Sequence, residues 1–216
     1  MLLTGNTCVK HPVITTSPRP GDPSAASTAP ANLPPRQRIL AAARELFYRQ
    51  GIRAVGVDAV AEAAGTNKMT LYRHFPSKDA LVAECLRQLG EDMERGWVEL
   101  AGQHPGDARA QLLAWLERVG NRLRDPQDRG CALINAAIEL PDKDHPARQV
   151  IETVKASARR HLARLCTEAG RPEPEALADE LILLVEGARV CSQSMGPEGP
   201  CSRLGAMGRA LIDAPA

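Results

Sequence analysis

The chain has 216 residues, of which 44% are hydrophobic, 25% are charged and only 3% are aromatic, and its formal net charge is +1. This length suits one large domain or two small ones, and the many Ala, Leu, Arg and Glu residues favour helices over sheets. No apolar run approaches the roughly 20 residues that a membrane-spanning helix needs, and the first residues lack the pattern of a secretory signal. We therefore expect a cytoplasmic protein.

Residues 1–33 are rich in Pro, Ser, Thr and Ala and lack a periodic apolar pattern, which predicts a disordered arm. Helical signals begin at Pro34 and Pro35, and an apolar stripe follows as far as a stop at Gly51. Two short helices are predicted over residues 57–64 and 68–74, the second with Asn67 as its N-cap. Further helices are predicted over residues 77 to about 100, 107–125, 131–140, 146–170, 174–194 and 201–212. The chain is therefore predicted to be all-α, with about nine helices.

The six cysteines occur singly, without a C-x-x-C pair, at Cys8, Cys85, Cys131, Cys166, Cys191 and Cys201. Structural zinc sites and disulfide frameworks use clustered or regularly spaced cysteines. The spacing here predicts neither. It favours buried or surface thiols in a reducing compartment, with a redox-sensing thiol as the alternative.

The charge is distributed unevenly along the chain. Residues 34–82 carry eight Lys or Arg against four Asp or Glu, whereas residues 83–216 carry 17 basic and 21 acidic residues. A basic block attached to an acidic body indicates that the block, and not the body, meets a polyanion.

Two short predicted helices flank Gly65 within this basic block. Each is too short to be stable alone, and the pattern buries Val60, Leu71 and Phe75 while it exposes most polar residues of the second helix. This layout is typical of a helix-turn-helix whose second helix enters the major groove of DNA.

Residues 36–82 resemble the DNA-binding domain of the TetR family of transcriptional regulators. The string KMTLYRHFPSKDAL over residues 68–81 is similar to the third helix of that family and the start of its fourth, and residues 38–51 match its first helix. The resemblance implies a helix-turn-helix domain over residues 34–82 and an effector-binding and dimerisation domain over residues 83–216.

The resemblance also implies roles at the DNA. The expected base-reading residues are Lys68, Met69 and Thr70, and the expected phosphate contacts are Tyr72, His74 and Lys78. Simple packing for Tyr72 or His74, and a solvated lysine at Lys68, are the alternatives. The chain departs from the family at Gly56 and Val57, where many relatives have Ser or Thr, and at Asp58, where some have a base-reading Arg. The operator sequence therefore cannot be inferred by analogy.

In the family the body encloses a pocket, and its last two helices form a four-helix bundle with a second copy. The matching helices here are residues 174–194 and 201–212. The expected effector-binding residues are Trp97, Trp115, Asn135, Glu139 and His161. Asn135 and Glu139 share one face of a nearly apolar helix. They either orient an effector or bond to Arg164 or Arg189 in the core, and the two tryptophans either contact the effector or only pack.

The sequence as a whole predicts a DNA-binding transcriptional regulator that is not an enzyme and has no cofactor, no metal and no membrane partner. We expect a homodimeric repressor on a palindromic double-stranded operator, released by a small hydrophobic or cationic effector. No Gly-rich phosphate loop, G-x-S-x-G or H-E-x-x-H occurs. The alternatives are a redox-responsive regulator, an all-α enzyme, or a metal-responsive regulator that uses Asp142, Asp144, His145 and His161.

Overall fold

The structure is a computed structural model that describes residues 33–214. The predicted N-terminal arm, apart from Leu33, lies outside the described residues, and so does Cys8. Between residues 33 and 214 the chain forms nine α-helices, one 3-10 turn and no strand, which confirms the predicted all-α class. In this part of the chain no helix is both long enough and apolar enough to cross a membrane.

The helices follow one another with short connections. They are α1 (Pro35–Gln50), α2 (Val57–Ala63), α3 (Lys68–His74), α4 (Lys78–Gln103), α5 (Ala108–Leu123), α6 (Ala132–Glu139), α7 (Pro146–Glu168), α8 (Pro174–Met195) and α9 (Leu204–Ile212). Two predicted elements differ from these bounds. Helix α4 continues through Gly102 to Gln103, and the last predicted helix is divided into a 3-10 turn, Pro200–Arg203, and α9.

Local signals account for most helix boundaries. The side chains of Asn67, Ser77 and Asp107 accept hydrogen bonds from the N–H groups of the third residue after each, and so cap α3, α4 and α5. Gly51 ends α1 at φ 91°, a conformation that favours glycine, and its N–H donates to the carbonyl of Phe47.

Two hydrophobic clusters form the core. The first joins α1, α2, α3 and the first half of α4 to α6 and the start of α7, and it includes Leu133 and Ile151. The second joins the end of α4 to α5, α7, α8 and α9 around Trp97, Leu162 and Leu181. Helices α4 and α7 contribute to both clusters. The first cluster therefore packs α6 and the start of α7 directly against the N-terminal helices.

Helices α4 and α7 approach closely where they cross. A Cβ atom placed on Gly90 would lie 2.6 Å from Cγ2 of Val154, which is closer than real Cβ contacts come. Glycine at this position therefore permits the contact between the long helix that begins in the N-terminal part and the body.

Candidate DNA interface and effector cavity

Helices α2 and α3 form a helix-turn-helix that is closed by small and apolar residues. Val60, Ala61, Leu71 and Phe75 are buried between α1, α2 and α3, as the sequence predicted for three of them. Gly65 makes the turn at φ 59°, where a side chain would be strained. The two short helices are thus held by packing and not by their own stability.

The outer face of α3 is exposed and carries residues suited to DNA. The side chain of Met69 is 79% exposed and that of Tyr72 is 42% exposed, an unusual degree of exposure for large apolar groups. Lys68 is also exposed, and its Nζ donates to Oδ2 of Asp58 at 3.1 Å. The start of α3 therefore presents a paired lysine beside a projecting methionine.

The remaining predicted contact residues surround this face. Thr70 is half-buried, and its N–H donates to the Asn67 cap. His74 is exposed at the end of α3, and Lys78 is half-buried at the first position of α4. Imidazole and ammonium groups of this kind are chemically suited to phosphate oxygens.

Two arginines of α1 support the helix-turn-helix, and the sequence did not single them out. Arg36 forms an ion pair with Glu84 at 2.6 Å, and its guanidinium lies 5.3 Å from the centre of the Phe75 ring. Arg38 Nη2 donates to the carbonyl of Gly65 at 3.5 Å. These contacts join α1 to the turn between α2 and α3, to the residue that follows α3, and to α4.

A large open cavity of about 1530 Å³ lies between the N-terminal helices and the body. Its walls come from α1, α4, α5, α6, α7 and α8, so it contacts both hydrophobic clusters. Of the five predicted effector residues, Trp97, Trp115, Asn135 and Glu139 line this cavity. His161 is not among its lining residues, because its ring lies against Trp97 instead.

The aromatic residues form a stack on one wall. The Trp97 ring lies 4.4 Å from the His161 ring in a stacked arrangement and 5.8 Å from the Trp115 ring in a tilted one. Trp97 is buried, and burial followed by the Arg164 guanidinium lowers the pKa of His161. The surroundings of His161 therefore favour its neutral form, and its ring stacks on Trp97.

The polar pair of α6 does not bond to Arg164 or Arg189, and that predicted alternative is wrong. Asn135 Nδ2 donates to the carbonyl of Arg129 at 2.8 Å. Glu139 Oε2 accepts from the backbone N–H of Arg53 at 2.9 Å, and its carboxylate lies against Gly51. The glutamate thus connects α6 to the loop between α1 and α2.

The end of α1 forms a second polar connection to the body. The Tyr48 hydroxyl donates to Asp128 Oδ1 at 3.0 Å and accepts from the N–H of Arg129 at 2.7 Å. Arg49 donates to Gln127 in the same loop. With Glu139, these contacts connect the N-terminal helices to both ends of α6.

Charged residues that the sequence did not predict surround one end of the cavity. Lys155 forms an ion pair with Glu186, its Nζ lies 3.6 Å from Cys131 Sγ, and Arg189 Nε lies 3.9 Å from the same glutamate. All four residues line the cavity. One signal in the sequence could have found them, because Lys155 and Arg189 each lie four residues after a buried apolar residue, Ile151 and Val185.

The alternative of a metal-responsive regulator that uses Asp142, Asp144, His145 and His161 is contradicted by the fold. His145 and His161 lie on one helix, and sixteen residues of rise separate them by roughly 24 Å. His145 caps α7 through its Nδ1, and its Nε2 lies 3.3 Å from Asp79 Oδ1. Over residues 33–214 no group of three His, Cys, Asp or Glu side chains could hold a metal ion.

These features define a class of protein: a helical DNA-binding regulator with a cavity between its N-terminal helices and its body. The comparisons identify the family. The profile described as "Bacterial regulatory proteins, tetR family" matches residues 39–85, and "Tetracyclin repressor-like, C-terminal domain" matches residues 108–206. The chain belongs to the TetR family of DNA-binding transcriptional regulators, as the sequence resemblance indicated.

Individual relatives agree with this assignment. The HTH-type transcriptional regulator YjdC of Escherichia coli (strain K12) is 27% identical over 152 residues, which cover 70% of this chain and 80% of that protein. The transcriptional activator FasR of Mycolicibacterium smegmatis is 37% identical over 82 residues, or 38% of this chain and 37% of that one.

Solved structures have the same fold. SCO4454, a TetR-family regulator from Streptomyces coelicolor, has a TM-score of 0.73 at 28% identity and covers 82% of this chain and 92% of its own. The reduced form of NemR from E. coli has a TM-score of 0.76 at 21% identity, over 84% of this chain and 98% of that one.

Proposed function

We propose that the protein is a cytoplasmic homodimeric repressor that binds a palindromic operator and is released from it by a small-molecule effector. One observation carries this proposal: the cavity is walled partly by α1, which packs against the recognition helix α3, and by α4, which packs against α1. A molecule that fills the cavity contacts the support of the DNA-binding unit directly.

The homodimer is supported by an unpartnered apolar face on the last helices. Leu183 and Val190 of α8 lie seven residues apart, on one side of the helix, and are 73% and 63% exposed. Met207 of α9 is 46% exposed. Such a face on a globular chain is typical of a contact with another protein, and a two-fold axis through it pairs each helix with its copy.

Sequence-specific binding is assigned to the exposed face of α3. Lys68, Met69 and Thr70 begin the helix and meet base edges, where the ammonium of Lys68 can donate to guanine O6 and N7. Tyr72, His74 and Lys78 contact phosphates. A single short recognition helix contacts few base pairs, so a second half-site, supplied by the dimer, is required for specificity.

Release follows from the connections between cavity and DNA-binding helices. An effector that displaces α6 or tilts α4 changes the Glu139 and Tyr48 contacts and therefore the separation of the two recognition helices. By linkage the effector then binds the DNA-free dimer more tightly than the DNA-bound dimer, and a coupling of about 1–3 kcal/mol is ordinary.

The test compares Lys68→Ala with Lys78→Ala on a duplex from upstream of the protein's own gene. Removing Lys78 should weaken binding to all duplexes alike and reduce the slope of log affinity against log salt by about one. Removing Lys68 should cost on the order of 1–3 kcal/mol and relax the preference at one base pair of each half-site. Uniform losses in both variants would contradict the assignment of base reading to α3.

A further inference from the structure

The cavity of the proposed effector site has an electropositive end, and the chemistry of its ligand follows from that charge. Four cations line this end: Arg122 and Arg129 from α5 and the loop after it, Lys155 from α7, and Arg189 from α8. These residues lie close together, because α8 contacts the loop that follows α5. Gln193 Nε2 of α8 donates to the carbonyl of Asp128 in this loop at 2.9 Å.

The acids near this end do not neutralise it. Glu186 is shared by Lys155 and by Arg189, so two cations face one carboxylate. Asp128 Oδ1 lies 3.9 Å from Arg122 Nη2. Arg129 forms no ion pair with any residue between 33 and 214. The Nε atom of Arg189 and the Oε2 atom of Glu186 lie 3.9 Å apart, and both are buried without a hydrogen-bond partner in the same range. A buried donor of this kind requires an acceptor, and a ligand can supply it.

The other lining acids are already engaged. Their partners are Arg49 for Glu45, Arg44 for Asp92, Arg159 for Asp179, and the backbone N–H of Arg53 for Glu139. Of these four acids only Glu139 lacks a cationic partner among the described residues, and one of its oxygens already accepts a backbone hydrogen bond. The wall beyond the charged end is apolar and includes Leu86, Met93, Leu133 and Val185.

We propose that the effector is an apolar molecule with a single carboxylate, which binds with the carboxylate between Lys155, Arg189 and Arg129 and with its apolar part along α4 and α6. This inference rests on the proposed function, since it names the chemical class that the effector cavity binds. It selects a hydrophobic anion over the cationic ligand that the sequence allowed, because Lys155 and Arg189 share the one carboxylate of Glu186 and Arg129 has no ion pair within residues 33–214.

The test uses three probes of equal chain length: decanoate, 1-decanol and decyltrimethylammonium, each below its micellar concentration. Binding to the full-length, DNA-free protein is followed by Trp fluorescence and by the shift in melting temperature. Decanoate should bind at least about tenfold more tightly than 1-decanol, since a hydrogen bond to a charged group contributes that much, and decyltrimethylammonium should bind most weakly.

Variants locate the carboxylate. Lys155→Gln and Arg189→Gln should each lower decanoate affinity about tenfold and leave 1-decanol affinity unchanged. The matched control is Arg160→Gln on α7, because Arg160 is exposed and does not line the cavity. A variant that fails to fold is detected by its 1-decanol binding and its circular dichroism, and the partner variant then carries the test.

Three results would overturn the inference: tightest binding of the cationic probe, equal binding of all three probes, or no binding of any. A different result would contradict the proposed function: decanoate binds, but the affinity of the protein for the operator stays unchanged. Tight, Lys155-dependent binding of decanoate that also releases the operator supports both.

Discussion

Lys68 begins the recognition helix, and in the DNA-free protein its ammonium donates to Asp58 across the helix-turn-helix. Both side chains are more than half exposed, so the pair itself contributes little to stability. The pair matters for DNA binding instead. The ammonium must leave Asp58 to reach a base, and the Asp58 carboxylate is then left beside phosphates. With the proposed base-reading role of Lys68, we therefore expect Asp58 to reduce the affinity for DNA.

Asp58→Asn should strengthen operator binding several-fold and make its salt dependence steeper by up to about one unit of slope. Glu62→Gln is the matched control. It also removes one exposed acid from α2, but it leaves the ion pair between Lys68 and Asp58 intact. Fluorescence anisotropy at several salt concentrations measures both. Equal gains in the two variants would show that only the net charge matters and that the Lys68 pair has no role.

The cysteines differ in their ability to react. Burial raises the pKa of the Cys85 thiol to about 12 and that of the Cys166 thiol to about 11, so both remain protonated and unreactive near neutral pH. Cys131 is half-buried, lines the cavity, and lies beside the Lys155 ammonium. Of these three thiols, only Cys131 is both accessible and next to a cation.

With a limiting amount of a thiol reagent at pH 8, the folded protein should be modified at Cys131 before Cys85 or Cys166. Peptide mass spectrometry after brief exposure checks the order, and Cys166→Ser serves as the control that leaves the rate at Cys131 unchanged. Modification of Cys85 first would contradict this order.

The same two buried thiols affect how stability depends on pH. Because the pKa values of Cys85 and Cys166 are raised in the folded protein, the contribution of these thiols to the free energy of unfolding is complete below about pH 9 and is lost as the pH rises toward 11 to 12.

At the scale of elements, the crossing of α4 and α7 connects the DNA-binding half to the body. Gly90→Ala should destabilise the protein by about 1–3 kcal/mol, because the new methyl group would meet the stiff side chain of Val154. Gly120→Ala on α5 is the matched control. It has open space around its Cβ position and should stabilise by about 0.5–1 kcal/mol through helix propensity. Urea unfolding measures both, and stabilisation by both substitutions would contradict the close crossing.

The elements also show what the sequence could and could not predict. The bounds of α3 and the cap at Asn67 were predictable because they depend on neighbouring residues. The end of α4 was not, since the helix was expected to end near residue 100, whereas it continues through Gly102 to Gln103 and the N–H of His104 donates to the carbonyl of Leu100.

The candidate site divides in the same way. The exposure of Met69 and Tyr72 follows from the short-range pattern of α3. The partners of Glu139 and Lys155 do not, because the first bonds to a residue 86 positions away and the second to one 31 positions away. Contacts at such separations depend on how the helices pack, and a single sequence carries no local signal for them.

At the scale of the whole molecule, the proposed dimer depends on the exposed face of α8. Leu183→Glu should give a folded monomer near 23.2 kDa, because two carboxylates would meet at the two-fold axis without partners. Val98→Glu on α4 is the control, since Val98 is equally exposed at 73% and lies outside this face. Light scattering after size exclusion gives the mass, and a dimeric Leu183→Glu would place the interface elsewhere.

The central claim is that the exposed face of α3, presented twice by a dimer, selects the operator. It is tested most directly by selection of binding sites from a randomised duplex library with the full-length protein. The account predicts a two-fold symmetric motif with half-sites separated by roughly one helical turn or somewhat more, and Lys68→Ala should relax the same position in both half-sites. A selected pool without symmetry, or one whose motif is unchanged by Lys68→Ala, would contradict it.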